Sequence, residues 1–342
     1  MRLTEGRGFM KNGGKHKMGV KSLAPYVRST HSLRHMMADV IIALCVLLVI
    51  PVVETGPRLA VTAVGTVGVC ILSEILFSLI ARTPIRVNDL SCVVTGLVIA
   101  LLMPVNVPQW LPMLAAGFAI LVAKAPFGGT GRAPFNPAAA GVAFVTVCFP
   151  GQSFQALPLR QFPWWGECQG IPEETAASLL QRGMRPEMGA LERIWNVAAG
   201  PAGQTALLVL LAAGLYLVIR KTAPWDGMLC CLAGAAAAAF LFPRVVGPRW
   251  ESVLFELLAG SLVFCAVFLV GEPSTSPHTR LGRCLYGLGI GILAILLRHI
   301  GPYEEGVCFA VLLANPFTPV LDRFAWRIRS YKMHHAAKGE TV

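Results

Sequence analysis

The stretch GEPSTSPHTRLGRCLYGLGIGILAILLRHIGPYEEGVCFAVLLAN, Gly271 to Asn315, sets polar turns and glycines between two apolar segments long enough to enter a bilayer. The pairs Glu272-Pro273 and Ser276-Pro277 cannot continue a helix, so the backbone leaves regular structure there and must find partners other than lipid. A membrane protein keeps such turns where something binds. Upstream, Leu102 to Asn136 repeats the plan: a break at Pro104 and Pro108, an apolar helix, a basic residue at its end (Lys124), then a glycine-rich turn. In the later copy Arg298 takes the place of Lys124, and Gly301-Pro302 that of the turn.

A chain of 342 residues that is 55% hydrophobic and only 14% charged is too apolar for a soluble fold. Read against the roughly 20 residues that span a hydrocarbon core, ten apolar runs stand out, at about 38–53, 59–81, 90–104, 110–124, 137–150, 202–219, 227–243, 252–271, 284–299 and 306–321. The expected fold is an all-α integral membrane protein of ten transmembrane helices. Five runs precede and five follow the long polar segment 151–199, and an odd number of spans per half inverts one half relative to the other. Two inverted five-helix repeats with broken helices result. The expected organisation is a basic cytoplasmic arm at 1–37, the first repeat at 38–150, an extracytoplasmic loop at 151–199, the second repeat at 200–322 and a cytoplasmic tail at 323–342.

The formal charge of +11 would suggest nucleic acid in a soluble protein, but its placement gives another answer. With the N-terminus inside, all of the 29 basic residues fall on the inner side except Arg58, Arg160, Arg182, Arg185, Arg193, Arg244, Arg249 and Arg298. The positive-inside rule then puts both termini in the cytoplasm, with lipid rather than nucleic acid as the neighbour. The ten cysteines include no CxxC pair and read as small apolar packing residues, and no pair of the seven histidines faces another across spans, so no metal or haem site is expected. The first apolar run has no small-residue cleavage site behind it and is read as retained.

Several residues stand out as candidates. Glu74 and Glu256 lie inside apolar runs, where an acid is unfavourable unless it serves an ion path or a partner. Asp89 opens a run, where a carboxylate also caps helix N–H groups. In FGGTGRAPFNPAAAG, Phe127 to Gly141, Asn136 is placed as a helix cap and Pro137 as the first helical residue, with the turn a candidate binding loop. Thr205 closes GPAGQT at the opening of the sixth run, and Thr275, Ser276 and Pro277 form the later turn. Trp164, Trp165 and Trp195 in the outward segment read as interfacial anchors.

The motifs FGGTGRAPFNPAAAG, GEPSTSPHTRLGRCLYGLGIGIL, GPYEEGVCFAVLLAN, NDLSCVVTGLVIALLMP and GPAGQTALLVLLAAGLYLVIR occur within one continuous span, from Leu33 to Arg323. Together they resemble the D-type membrane component of the Rnf electron-transport complex and the related B-type component of the sodium-translocating NADH:quinone reductase, with FNPAAAG and the chain length closer to the Rnf form. The resemblance implies a multi-pass flavoprotein component in the bacterial cytoplasmic (inner) membrane. Its partners would be the other subunits of a multisubunit electron-transport complex that couples ferredoxin and NAD to Na⁺ or H⁺ movement. No NAD motif occurs in this chain, which places nucleotide chemistry on those partners.

In the family, flavin mononucleotide (FMN) is esterified to the threonine of a [Ser/Thr]-Gly-Ala-Thr motif on the outward loop. Here the matching positions read Thr175-Ala176-Ala177-Ser178, so the candidate acceptor is Ser178 and the glycine is an alanine whose Cβ crowds the approach. Arg182 and Arg185 follow on the same helical face, in reach of an attached phosphate. Thr175 also serves as a plain helix cap. A noncovalent riboflavin is a further expectation. A secondary transporter or channel for a small solute fits inverted repeats equally, and a flavin-free scaffold component is the third reading.

Overall fold

The computed structural model describes residues 33–83, 89–153, 157, 162–166, 168, 174–186, 189, 192, 200–245 and 248–337. The expected arm up to residue 32, Trp195, and most of the outward segment lie outside the described residues.

Every described element is a helix. The first half holds α1 (Leu33–Thr55), α2 (Arg58–Ile80), α3 (Ser91–Leu102), α4 (Trp110–Phe127) and α5 (Pro137–Cys148). A short α6 (Ala176–Gln181) follows, and the second half holds α7 (Leu207–Ile219), α8 (Trp225–Leu241), α9 (Arg249–Leu258), α10 (Leu262–Val270), α11 (Arg280–Ile300), α12 (Val307–Ala314) and α13 (Thr318–Ala337). Among the described residues there is no strand, only one antiparallel bridge between Pro104 and Pro201. Among the described residues, five helices are long and apolar enough to cross a membrane: α1, α2, α4, α11, and the α12–α13 rod over Val307–Tyr331. Counting the bent pair α9–α10 as one span makes six. The protein is a multi-pass membrane protein.

Four further apolar runs form helices of 10–17 residues, α3, α5, α7 and α8. At 1.5 Å per residue the 12-residue α3 covers about 18 Å, short of the ~30 Å hydrocarbon core. Such helices must end inside the bundle, where the freed backbone groups meet protein. Ala202 N–H donates to the Met103 carbonyl beyond the end of α3 at 3.1 Å, which satisfies one of them. The α9–α10 pair bends by 63° around Gly260, whose φ of +64° only glycine adopts without strain. Two stretches, Ala119–Lys124 at the end of α4 and Ala266–Val270 at the end of α10, widen to π-helical geometry, which turns the residue that follows away from its α-helical direction.

The core is held by close helix contacts. Along α8 and α11, a Cβ on Gly291 would stand 2.0 Å from the Cys231 carbonyl oxygen, and one on Gly287 would stand 2.2 Å from that of Gly227. The Gly287-x-x-x-Gly291 spacing brings the two backbones together, as dispersion-driven helix pairing in lipid favours.

Helix α3 also serves as a ruler. Lys124 bonds to Ser91 at its start, whereas the Arg58 guanidinium bonds to the carbonyls of Val105 and Val107 beyond its finish. The Lys124 cluster and the Arg58 clamp therefore mark opposite ends of the bundle.

Candidate functional site

At the start of α3, Lys124 is 3% exposed. Its ammonium donates to Glu74 Oε2 at 2.9 Å, to Ser91 Oγ at 2.6 Å and to Cys92 Sγ at 3.3 Å. Those three acceptors use all three ammonium protons. The Cys92 thiol is turned to the same Glu74 oxygen. Asp89 accepts from Ser91 N–H at 3.0 Å and Ser91 Oγ at 2.7 Å, so it caps the start of α3. The Thr130 hydroxyl, on the glycine-rich turn, lies 2.8 Å from both Asp89 Oδ2 and Ser91 Oγ. Glu74 and Asp89, separate candidates in the sequence, are thus joined through Ser91 and Lys124.

The two broken turns meet beside this cluster. Asn136 caps α5 by accepting from Ala139 N–H at 3.0 Å, with Pro137 in the first helical position, as the sequence predicts. Its amide nitrogen donates to Glu272 Oε2 at 2.5 Å, which ties the earlier turn to the later one. Residues of the later turn then face two cavities. Glu272, Ser274 and Thr275 line one of about 30 Å³ together with Ser91, Lys124 and Asn136. Pro273, Ser276 and Pro277 line another of about 300 Å³ together with Lys221, Trp225, His278 and Arg283. Thr275 is buried and its hydroxyl has no hydrogen-bond partner. A buried hydroxyl without a partner carries a desolvation penalty that a bound polar species would remove.

The other end of the bundle repeats the basic–acidic theme. Arg298, 1% exposed, donates to Glu256 Oε2 at 2.9 Å, to the Glu256 carbonyl at 3.0 Å and to the Ala259 carbonyl at 3.1 Å. The guanidinium thereby covers carbonyls that the α9–α10 break frees. His299 Nε2 lies 2.8 Å from the second Glu256 oxygen. Glu256 accordingly sits with a structural pair, apart from Glu74 and Asp89. Nearby, a cavity of about 40 Å³ is lined by Thr175, Gly260, Ser261, Glu304 and Glu305. Thr175 donates to Glu304 at 2.6 Å, and Glu305 accepts from Ser261 N–H at 2.9 Å. Burial pushes the Glu304 carboxyl up to about 7.

Thr175 caps α6 by accepting from Ser178 N–H at 3.1 Å. Ser178 is 5% exposed and its hydroxyl donates back to the Thr175 carbonyl at 2.9 Å. Arg182 pairs with Glu174, and Arg185 with Glu251 on α9, so a phosphate on Ser178 would compete with these carboxylates for both arginines. Opposite charges nearer to hand take both arginines. Thr205, 2% exposed, donates to the Ala202 carbonyl at 2.9 Å and closes a backbone turn. Neither Ser178 nor Thr205 joins the Lys124 cluster.

A comparison with known protein families places residues 20–330 in the family described as NQR2, RnfD, RnfE. The chain belongs to that family. Among its members, the chain is 30% identical over 312 residues to the D component of the Na⁺-translocating ferredoxin:NAD⁺ oxidoreductase complex of Acetobacterium woodii, covering 89% of this chain and 92% of the relative. It is 27% identical over 322 residues to the D component of the proton-translocating ferredoxin:NAD⁺ oxidoreductase complex of Clostridium ljungdahlii, covering 90% and 95%. It is 32% identical over 273 residues to the D component of the ion-translocating oxidoreductase complex of Pseudomonas paraeruginosa, covering 74% and 77%. The names of these family members differ in the ion they specify.

The sequence pattern marks Lys124 only as the basic end of a helix, and it does not single out Glu272, Ser91 or Thr130. The one signal that could have pointed to them is the lysine itself, since a cation at the end of an apolar run needs an acid within reach. Arg58 was likewise legible only as a charge on the outer side. In the structure it is fully buried and also donates to the Gly166 carbonyl at 2.8 Å, pinning that part of the 151–199 segment to the Pro104–Pro108 break.

Proposed function

We propose that this chain is the D-type membrane component of an Rnf-type complex in the bacterial inner membrane, coupling electron passage to movement of Na⁺ or H⁺ beside partner subunits. One observation carries this reading: the turn Glu272–Pro277 forms a wall of two cavities at once, one large enough for a redox cofactor and one the size of a water or an ion. Cofactor pockets run from roughly 300 Å³ upward, and a single water takes roughly 30 Å³. A change of charge on one face of the turn is then felt by Glu272 and Thr275 on the other.

The finer architecture is two inverted five-helix repeats. Three features support it: the Pro104/Pro108 and Pro273/Pro277 breaks share a four-residue spacing, Lys124 and Arg298 end corresponding helices, and their clusters lie at opposite ends of the bundle.

Flavin is the proposed cofactor, held noncovalently in the larger cavity. Trp225 offers an aromatic face, Ser276 a hydroxyl, and Lys221 and Arg283 positive charge for a phosphate, although Asp226 already holds Arg283 at 2.8 Å. Flavin there would supply reversible one- and two-electron chemistry. Ser178 does not fit a phosphoester, because its oxygen is buried and engaged within its own turn, and esterification requires α6 to open.

Purified complex should therefore release flavin from this chain on denaturation, with the intact mass of the chain unchanged. Trp225→Ala should lower both flavin occupancy and ferredoxin-driven NAD⁺ reduction. A mass gain of one flavin mononucleotide that vanishes in Ser178→Ala would move the cofactor to α6. A flavin-free complex that passes a small solute instead would overturn the redox reading.

A further inference from the structure

Lys124 sets a positive charge among a carboxylate oxygen, a hydroxyl and a thiol at the start of α3. Three carboxylates, those of Glu74, Asp89 and Glu272, converge on the region of this one ammonium. Glu74 bonds to it, Asp89 reaches it through Ser91, and Glu272 shares its cavity. Lys124 also belongs to two cavities: it lines the inner one of about 30 Å³ and, with Glu74, Ser78 and Thr83, a second of about 100 Å³. Its acceptors are a carboxylate oxygen, a hydroxyl and a thiol, and more hydroxyls stand close by. Oxygen donors of this kind suit a hard cation. An independent mark is the Thr275 hydroxyl, 7% exposed, which lines the inner cavity without a hydrogen-bond partner.

We propose that Lys124 is a tethered cation plugging a monovalent-cation site, and that an entering ion competes with its ammonium for Glu74 and Ser91 to pass between the two cavities. The proposal rests on the ion-translocation reading above and adds to it a named gate. Competition follows from shared ligands: the ammonium occupies Glu74 Oε2 and Ser91 Oγ, and an entering cation needs the same oxygens. The π-helical turn over Ala119–Lys124 supplies the movement required, since relaxing that turn to α-helix re-aims the lysine without breaking α4.

The test uses the full-length chain in lipid nanodiscs, with sodium chloride titrated against choline chloride at constant ionic strength and thermal unfolding as the readout. Lys124→Met and Lys124→Gln open the plug. Each should show a sodium-dependent rise in Tm with half-saturation at least tenfold lower than in the unmutated chain, and a further Glu74→Gln change should abolish it. In the unmutated chain, sodium but not choline should increase acylation of Lys124 by an amine-directed reagent, as an ammonium displaced from its acceptors requires. Absence of sodium-dependent stabilisation in a folded Lys124 variant overturns the proposal. So does labelling of Lys124 that ignores sodium, a measurement that stands even where neither variant folds. Should the variants bind sodium while the assembled complex shows no redox-driven ion uptake, the site stands and the translocation reading falls.

Discussion

Glu304 shows how a single side chain is set by its surroundings. It sits on the loop between α11 and α12, and burial pushes its carboxyl to about 7 from a model-compound value of 4.5. Between those values the folded protein holds a proton that the unfolded chain has lost, so stability falls as the pH rises through that window. Thr175 donates to this carboxyl, which makes α6 the element that feels the change. Expected is a Tm that declines from about pH 5 to about pH 7.5 in the purified chain, with a flatter profile in Glu304→Gln. An unchanged slope in the variant would assign the pH dependence to another group. Nothing in the sequence singles out Glu304 from Glu305: adjacent acids differ only in what folds over them, Thr175 for one and Ser261 for the other.

At the scale of elements, helices in lipid gain little from hiding apolar surface and pair by close backbone contact. The α8–α11 contact depends on glycine for that reason. Gly291→Ala introduces a methyl group against the Cys231 carbonyl, and overpacking of this kind destabilises by about 1–3 kcal/mol. Gly289, two residues earlier on α11, has no atom beyond its immediate neighbours and its own helix backbone within 4 Å of where its Cβ would stand. Alanine there should be neutral or stabilising by up to ~1 kcal/mol through helix propensity. Thermal unfolding of the two variants side by side is the measurement, and equal losses would show that propensity rather than packing governs the pair. The existence of α11 was legible in its apolar run. Its partner was not, because every helix of the bundle carries an apolar surface.

At the scale of the whole molecule, basic side chains of the described residues sort by end. Arg220, with Asp39, and Arg283, with Asp226, share a cavity wall or its neighbourhood with the later turn, on the Lys124 side, whereas Arg58, Arg298 and Arg244 gather around the other end. The positive-inside rule then predicts that the Lys124 end faces the cytoplasm. Reporter fusions at Gln169 and Thr341 should read outside and inside respectively. The same compartment for both would exclude an odd number of crossings between those points and with it the inverted arrangement.

Hydropathy, proline geometry and capping are local properties, and they were enough to show that the chain is helical and membrane-embedded, that its helices break at the proline turns, and which caps form at Asn136 and Thr175, though not the break at Gly260. Motifs scattered along the chain carried the family as well. Which charges pair was legible only after folding. Glu74 meets Lys124 across 50 positions, Arg298 meets Glu256 across 42, and Asn136 meets Glu272 across 136. A buried charge takes whichever opposite charge the packing of helices brings within about 3 Å, and packing is settled by the sum of many weak contacts spread along the chain. The same sum buried Ser178 in its own turn and left Thr275 without a partner beside Lys124.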